Sequence, residues 1–123
     1  MNSGRKITGG KYHQRRKKRL YEFKSQPRVV KVGPVKRKCL RIRAGSCKTI
    51  LMSTDIANVL DKKSGKIKQA KIKNVIETPS NRFLARQNVL VKGAIIDTEL
   101  GKARVTNRPS QEGSVNAILL ENQ

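Results

Sequence analysis

Asp97 and Glu99 stand two residues apart on one face of an expected strand, a spacing at which two carboxylates could divide general acid and base work. Lys102 and Arg104 follow closely, and a solvated strand face with balancing charges accounts for the pair more simply. The other carboxylates, Glu22, Asp55, Asp61, Glu77, Glu112 and Glu121, are scattered. His13 is the sole histidine and sits amid cations that disfavour its own charge, so a base contact or plain solvation suits it better than proton transfer. No serine, histidine and aspartate are spaced for nucleophilic catalysis. Cys39 and Cys47 lack CxxC spacing and, with a single histidine, cannot complete a four-ligand zinc site. If Ala44-Gly45 tips a two-residue hairpin, Cys39 faces Ile50 and Cys47 faces Ile42, which sends the sulfurs to opposite sides of the sheet. Buried or partly buried free thiols are then expected. The chain reads as a non-enzyme, with no metal, cofactor or small-molecule substrate.

The chemistry the residues do offer is cationic. Seventeen of the first 48 residues are Lys or Arg, and Glu22 is the only acid among them. That segment carries +16 of the chain's formal charge of +21. Arg15, Arg16, Lys17, Lys18 and Arg19 run without interruption, preceded by Arg5, Lys6 and Lys11. Neighbouring charges ~7 Å apart repel by about 0.6 kcal/mol per pair in water, so this leader should be disordered alone and order on a polyanion. Tyr12, His13, Tyr21 and Phe23 are interleaved with the cations. Flat rings stack on unpaired bases while Arg and Lys neutralise phosphates. Thr8-Gly9-Gly10-Lys11 lacks the strand and spacing of a nucleotide-binding loop, but its glycines let a basic segment pass close to a phosphate backbone.

Such a leader needs a body to hold it. Residues 1–27 carry too few apolar side chains for a core, which leaves 28–123 as one small domain. With no Trp and two Phe, that core must be Val, Ile, Leu and Ala, and β-branched residues favour sheet. Strand character recurs at residues 29–32, 38–43, 47–52, 56–60, 66–76, 89–91, 94–98, 102–106 and 114–120. Within 66–76, Ala70, Ile72 and Ile76 fall on one wall and Lys71 and Lys73 on the other. Ser80 is expected to cap a short helix containing Phe83, Leu84 and Gln87. Short strands with frequent turns and no βαβ spacing predict an all-β fold: a small β-barrel of six to eight short, mostly antiparallel strands behind a disordered basic extension. No apolar run approaches the ~18 to 20 residues that span a bilayer, and no secretory signal is evident, so cytosol is expected.

Three blocks go beyond composition. Arg5-Lys6-Ile7-Thr8-Gly9-Gly10, the Arg15 to Arg19 run and Tyr21-Glu22 form the first. Asn81-Arg82, Arg86-Gln87-Asn88 and the stretch from Lys92-Gly93-Ala94 through Glu99-Leu100-Gly101-Lys102-Ala103 form the second. Arg104-Val105-Thr106-Asn107-Arg108-Pro109-Ser110-Gln111-Glu112-Gly113, then Val115-Asn116-Ala117, form the third. Together they resemble the archaeal and eukaryotic small-subunit ribosomal protein family "eight-e", and the short length resembles its archaeal form. Ser110 stands where that pattern has Gly, and Asn107 where it has Ser.

The resemblance implies a structural ribosomal component with a small β-barrel-like domain and a basic N-terminal extension threaded into small-subunit rRNA. Its partners would be that rRNA and neighbouring ribosomal proteins, with a monomer outside the ribosome and no membrane. The residues expected at the RNA are Arg5, Lys6, Thr8, Gly9, Gly10, Lys11, Tyr12, His13 and Arg15 to Arg19 (Arg15, Arg16, Lys17, Lys18, Arg19) in the arm. On the domain they are Lys36, Arg37, Lys38, Arg41, Arg82, Arg86 and Arg108. An architectural DNA-binding protein could use the same electrostatics, but no wedge residue or dimer seam is evident. An RNA-processing enzyme lacks an acid–base set, and binding to anionic membranes lacks an amphipathic face.

Overall fold

The computed structural model describes residues 4–13 and 15–120. Glu121 and the outer ends of the two expected segments lie outside them. Among the described residues eight strands form, β1 (Lys31–Val32), β2 (Lys36–Arg41), β3 (Cys47–Thr54), β4 (Ile56–Leu60), β5 (Ile67–Glu77), β6 (Ile95–Thr98), β7 (Gly101–Val105) and β8 (Asn116–Leu119). One short helix, α1 (Arg82–Arg86), interrupts them. The fold is all-β, as expected. The barrel itself takes five strands, β4 to β8, and β1 to β3 make a separate three-stranded sheet in the order β1-β3-β2.

Alternation builds the barrel. Inward positions on β4 (Ala57, Val59), β7 (Ala103, Val105) and β8 (Ala117) are buried, and the residues between them face outward. Neighbours pair antiparallel from β4 through β8, and the ring closes where β8 runs parallel to β4, with Val59 opposite Ala117. A closed sheet has no free edge to template aggregation. Its narrow bore explains the aliphatic core: Ala57, Ala70, Ala94, Ala103 and Ala117 are buried among Val59, Ile72, Val75, Ile96 and Val105. Small and branched side chains together fill a lumen too tight for rings.

Three local expectations need correction. The wall containing Ala70 and Ile72 does not continue to Ile76. The pairing of β5 with β6 shifts register between Ile72 and Asn74, so Val75 is buried and Ile76 is 44% exposed. An extra residue in one strand flips every later side chain to the other face. The helix is capped by Asn81 rather than Ser80, for the Asn81 Oδ1 accepts the Phe83 N–H at 2.9 Å. Residues 89–91 form no strand of their own. Val89 makes a single bridge to Lys31, and the Leu90 N–H donates to the Val30 carbonyl at 2.8 Å.

The hairpin joining β2 and β3 differs most. Its loop has three residues, Arg43–Gly45, within which Ala44 (φ 59) and Gly45 (φ 73) are both left-handed. The Ile42 N–H donates to the Ser46 carbonyl at 2.8 Å, and pairing continues as Arg41 opposite Cys47 and Cys39 opposite Thr49. This is one residue out from the two-residue register. Cys39 and Cys47 therefore share a face, and both are exposed free thiols rather than buried ones.

Asp55 separates the sheet from the barrel. The Thr54 hydroxyl accepts the Ile56 N–H at 3.2 Å, turning the chain, and the Ile72 N–H donates to the Asp55 carbonyl at 2.7 Å. Residues 107–113 tie the two sheets together at a second point, where the Leu51 N–H donates to the Glu112 carbonyl at 3.1 Å. Asn107 organises this loop. Its Nδ2 donates to the Glu112 carboxylate and the Ser114 carbonyl, both at 2.8 Å, and its Oδ1 accepts the Asn116 N–H at 3.0 Å. A serine hydroxyl has too few donors and too short a reach for all three, so Asn at this position gives the loop its own bracing.

Candidate nucleic-acid interface

The arm makes its local structure from backbone bonds rather than from burial. The Lys6 N–H donates to the Gly10 carbonyl and the Gly9 N–H to the Lys6 carbonyl, both at 2.9 Å, and Arg5 bridges to Lys11. Gly9 takes φ +80, a conformation that side chains rarely adopt, which is why glycine stands at this bend. The Arg5 guanidinium donates to the Gly9 carbonyl at 3.4 Å, and the Lys6 ammonium lies 5.6 Å from the Tyr12 ring centroid. Every described residue from 4 to 29 is exposed except the half-buried Glu22. Tyr12, Tyr21 and Phe23 are 57%, 75% and 60% exposed, so their rings present to solvent instead of packing on the domain.

A second bend follows the cation run. Leu20–Glu22 is one 3-10 turn, and Glu22 holds it from both sides. Its carboxylate accepts the Arg19 N–H at 3.0 Å and two bonds from the Arg16 guanidinium, at 2.6 and 3.1 Å. The fork geometry matches the two oxygens. These contacts, Arg16 first and the Arg19 backbone second, hold the Glu22 carboxyl below its ordinary 4.5. A depressed carboxyl contributes to this turn above its ordinary pKa, and that contribution fades as pH falls through the lowered value. An NMR titration of the Glu22 side chain should show a midpoint below 4.5 that moves up toward it in Arg16→Gln. An unmoved midpoint would mean that the pairing is not populated in solution.

On the domain the candidate cations occupy three places. Lys36, Arg37, Lys38 and Arg41 lie along β2, the outer strand of its sheet, and all are exposed. Arg37 and Arg41 project from the face that carries Cys39, and Lys38 from the other, so the strand offers charge on both sides. Arg82 and Arg86 are the first and last residues of α1, which packs against β5. Arg108 is exposed on the loop braced by Asn107. No hydrogen bond joins one of these places to another.

α1 also shows a residue that sequence reasoning passed over. Phe83 is 56% exposed, with the Arg82 and Arg86 guanidiniums 5.6 and 5.9 Å from its ring centroid. The i and i+3 spacing of Phe83 and Arg86 on one helical turn was the available signal. Asp97 and Glu99, whose spacing alone could suggest a pair, are not brought together as one. Asp97 pairs across the sheet with Lys102, whereas Glu99 has left β6 for the turn, where its N–H donates to the Lys71 carbonyl at 3.2 Å. Among the described residues, Arg16 is the only candidate cation in salt-bridge contact with a carboxylate. Among the described residues, the other candidate cations make no salt bridge.

The whole described chain matches a known family. The model of the family "Ribosomal protein S8e" matches residues 1–120. The chain is 43% identical over 119 residues to a protein of Methanocorpusculum labreanum named small ribosomal subunit protein eS8, a match that covers 97% of this chain and 95% of that one. Proteins of the same name from Sulfolobus acidocaldarius and Nanoarchaeum equitans are 46% and 44% identical. Those matches cover 97% and 95% of this chain, and 94% and 92% of theirs.

Proposed function

Because the chain belongs to the ribosomal protein S8e family, we propose that it is a non-catalytic structural component of the small ribosomal subunit that binds rRNA through its basic arm and the cations of its β domain. The observation that carries this reading is the exposed positive charge of the arm, of which Arg16 alone meets a carboxylate among the described residues, set with solvent-facing rings. Residues 1–27 act as the extension and 28–123 as the docking body. The first buried side chain of the described residues, Val30, supports a boundary near this point.

In this reading the arm is disordered when free and takes its shape in folded rRNA. Arg5, Lys6, Lys11 and the Arg15 to Arg19 run neutralise phosphates, while Thr8, Gly9 and Gly10 allow close passage of the backbone. Tyr12 and His13 meet bases. Lys36, Arg37, Lys38 and Arg41 on β2, Arg82 and Arg86 on α1, and Arg108 dock the domain against the particle, beside neighbouring ribosomal proteins. Outside the ribosome the protein is a monomer, and its working place is the cytoplasmic small subunit. Phosphate contacts position without reading sequence, so the isolated arm discriminates poorly among RNAs, and folded rRNA supplies the specificity.

Sucrose-gradient fractionation of a cell extract tests the assignment. The protein should sediment with the small subunit through moderate salt, and purified protein should prefer rRNA fragments over duplex DNA at matched ionic strength. A soluble pool at the top of the gradient, or a preference for the duplex, would overturn it.

A further inference from the structure

Cys39 and Cys47 sit on the same exposed face of the β2–β3 hairpin, one diagonal step apart. The bond from the Ile42 N–H to the Ser46 carbonyl makes that pair a hydrogen-bonded one, so by alternation Arg41/Cys47 and Cys39/Thr49 are non-hydrogen-bonded pairs. Side chains of such pairs approach most closely, with Cα atoms about 4.5 Å apart directly across. Diagonal neighbours are about 7 to 8 Å apart between Cα atoms, and the right-handed twist of a hairpin draws one diagonal together. We propose that Cys39 and Cys47 are a reversible dithiol–disulfide pair, closed by exchange with a small-molecule disulfide and opened by a small thiol.

Three further observations support it. Cys47 lies near enough to act on the other thiol: its hydrogen-bonding influence first, and desolvation second, hold the Cys39 pKa above its ordinary value. The face is open at this end and closed at the other. Leu51 is in the core and Thr49 lies against the loop, where a Cβ on Gly113 would meet its methyl at 3.4 Å, but both cysteines are exposed. Arg37 and Arg41 share the face, and Lys38 and Lys48 adjoin the cysteines in sequence, so an anionic disulfide is drawn to the site.

The diagonal spacing lies at or just beyond the upper limit for an unstrained bridge, about 6.8 Å between Cα atoms. Closing the bond requires a small shear of the hairpin, which ends in a free loop and can give. A bond made under strain is readily reduced, which suits a switch better than a permanent staple. The exchange balances simply. One cysteine thiolate attacks a sulfur of the small disulfide and expels one thiolate, and the second cysteine thiolate then attacks the mixed disulfide and expels the other. The protein loses two protons and two electrons, and the small disulfide becomes two thiols.

The test uses the purified, fully reduced chain with oxidised glutathione, read by intact mass. The wild type should lose about 2 Da and become resistant to alkylation at both cysteines, and reduced glutathione should restore it. Cys39→Ser and Cys47→Ser should each instead retain one glutathione, a gain of about 305 Da. Two stable adducts on the wild type, cross-linked dimers or an unchanged mass would each overturn the proposal. It does not depend on the RNA-binding reading, and these outcomes leave that reading untouched.

Discussion

Exchanging Arg15, Arg16, Lys17, Lys18 and Arg19 for Gln is expected to weaken binding to small-subunit rRNA on the order of 10³-fold near 0.1 M salt. The reason is counterion release. Each phosphate neutralised contributes roughly 0.7 to 0.9 to the slope of log K against log salt, so the five changes should flatten that slope by about 3.5 to 4.5. If the arm and domain together meet ~10 phosphates, the intact protein has a slope of roughly −7 to −9. Filter binding or fluorescence anisotropy across a salt series measures both quantities. The domain should be unharmed, because these side chains are exposed and the only ion pair among them, Arg16 with Glu22, is local to the arm. Thermal unfolding of the variant should match the parent. A matched set from the barrel wall, Lys66, Lys68, Lys71, Lys73 and Lys102, is equally cationic and exposed, and its removal should flatten the slope less. Equal losses from the two sets would show that total charge, rather than the arm, does the binding.

The charge and exposure of the candidate interface were more legible in the sequence than the fold that presents it, and the two differ for physical reasons. Charge density is a property of composition, so the arm's cations and the scarcity of acids around them can be counted directly. Exposure of Tyr12, Tyr21 and Phe23 follows once no apolar partners surround them. The alternation of Ala57 with Val59 and of Ala103 with Val105 is likewise local, and it gave the β class. Closure is not local. Only Asp55 stands between β3 and β4, and nothing in that residue type announces that one strand belongs to a sheet and the next to a barrel. Periodicity also fails wherever a strand gains a residue. The bulge after Ile72 reverses the wall of β5, and the pattern of lysines around it reads equally well in either phase.

The hairpin shows the same limit at one residue. Ala-Gly is an ordinary two-residue turn in sequence, and the register it implies would part the two thiols. The chain instead forms a three-residue loop with Ala44 at φ 59, a conformation that costs a non-glycine residue roughly 1 to 2 kcal/mol. With that loop comes the face that Cys39 and Cys47 share. Context repays the strain: the register it permits seats Leu51 in the core and Thr49 against the 107–113 loop. Side-chain pattern alone cannot weigh a local cost against a distant gain. Phe83 was overlooked for a related reason, since a lone aromatic in a short helix suggests core until its neighbours' positions are known.

Ile96→Ala should be the most damaging single change to the body. Ile96 is fully buried on β6, opposite Ala103 and Val75 on its two neighbours in the barrel. Truncation removes three carbons from a lumen already lined by five alanines, so little remains that can move in to fill the space. Under such conditions the cavity cost adds to the lost transfer energy, and Ile→Ala falls at about 3 to 4 kcal/mol within the usual 2 to 5. For a domain of this size each kcal/mol moves the midpoint by roughly 4 to 8 °C, so thermal unfolding followed by circular dichroism should shift down by about 12 to 30 °C. Ile76→Ala supplies the contrast on the neighbouring strand. The bulge turns Ile76 outward, and its loss should cost about 1 kcal/mol or less. Comparable losses at the two positions would mean that β5 holds the unbulged register and that the barrel's interior is lined differently from the arrangement described above.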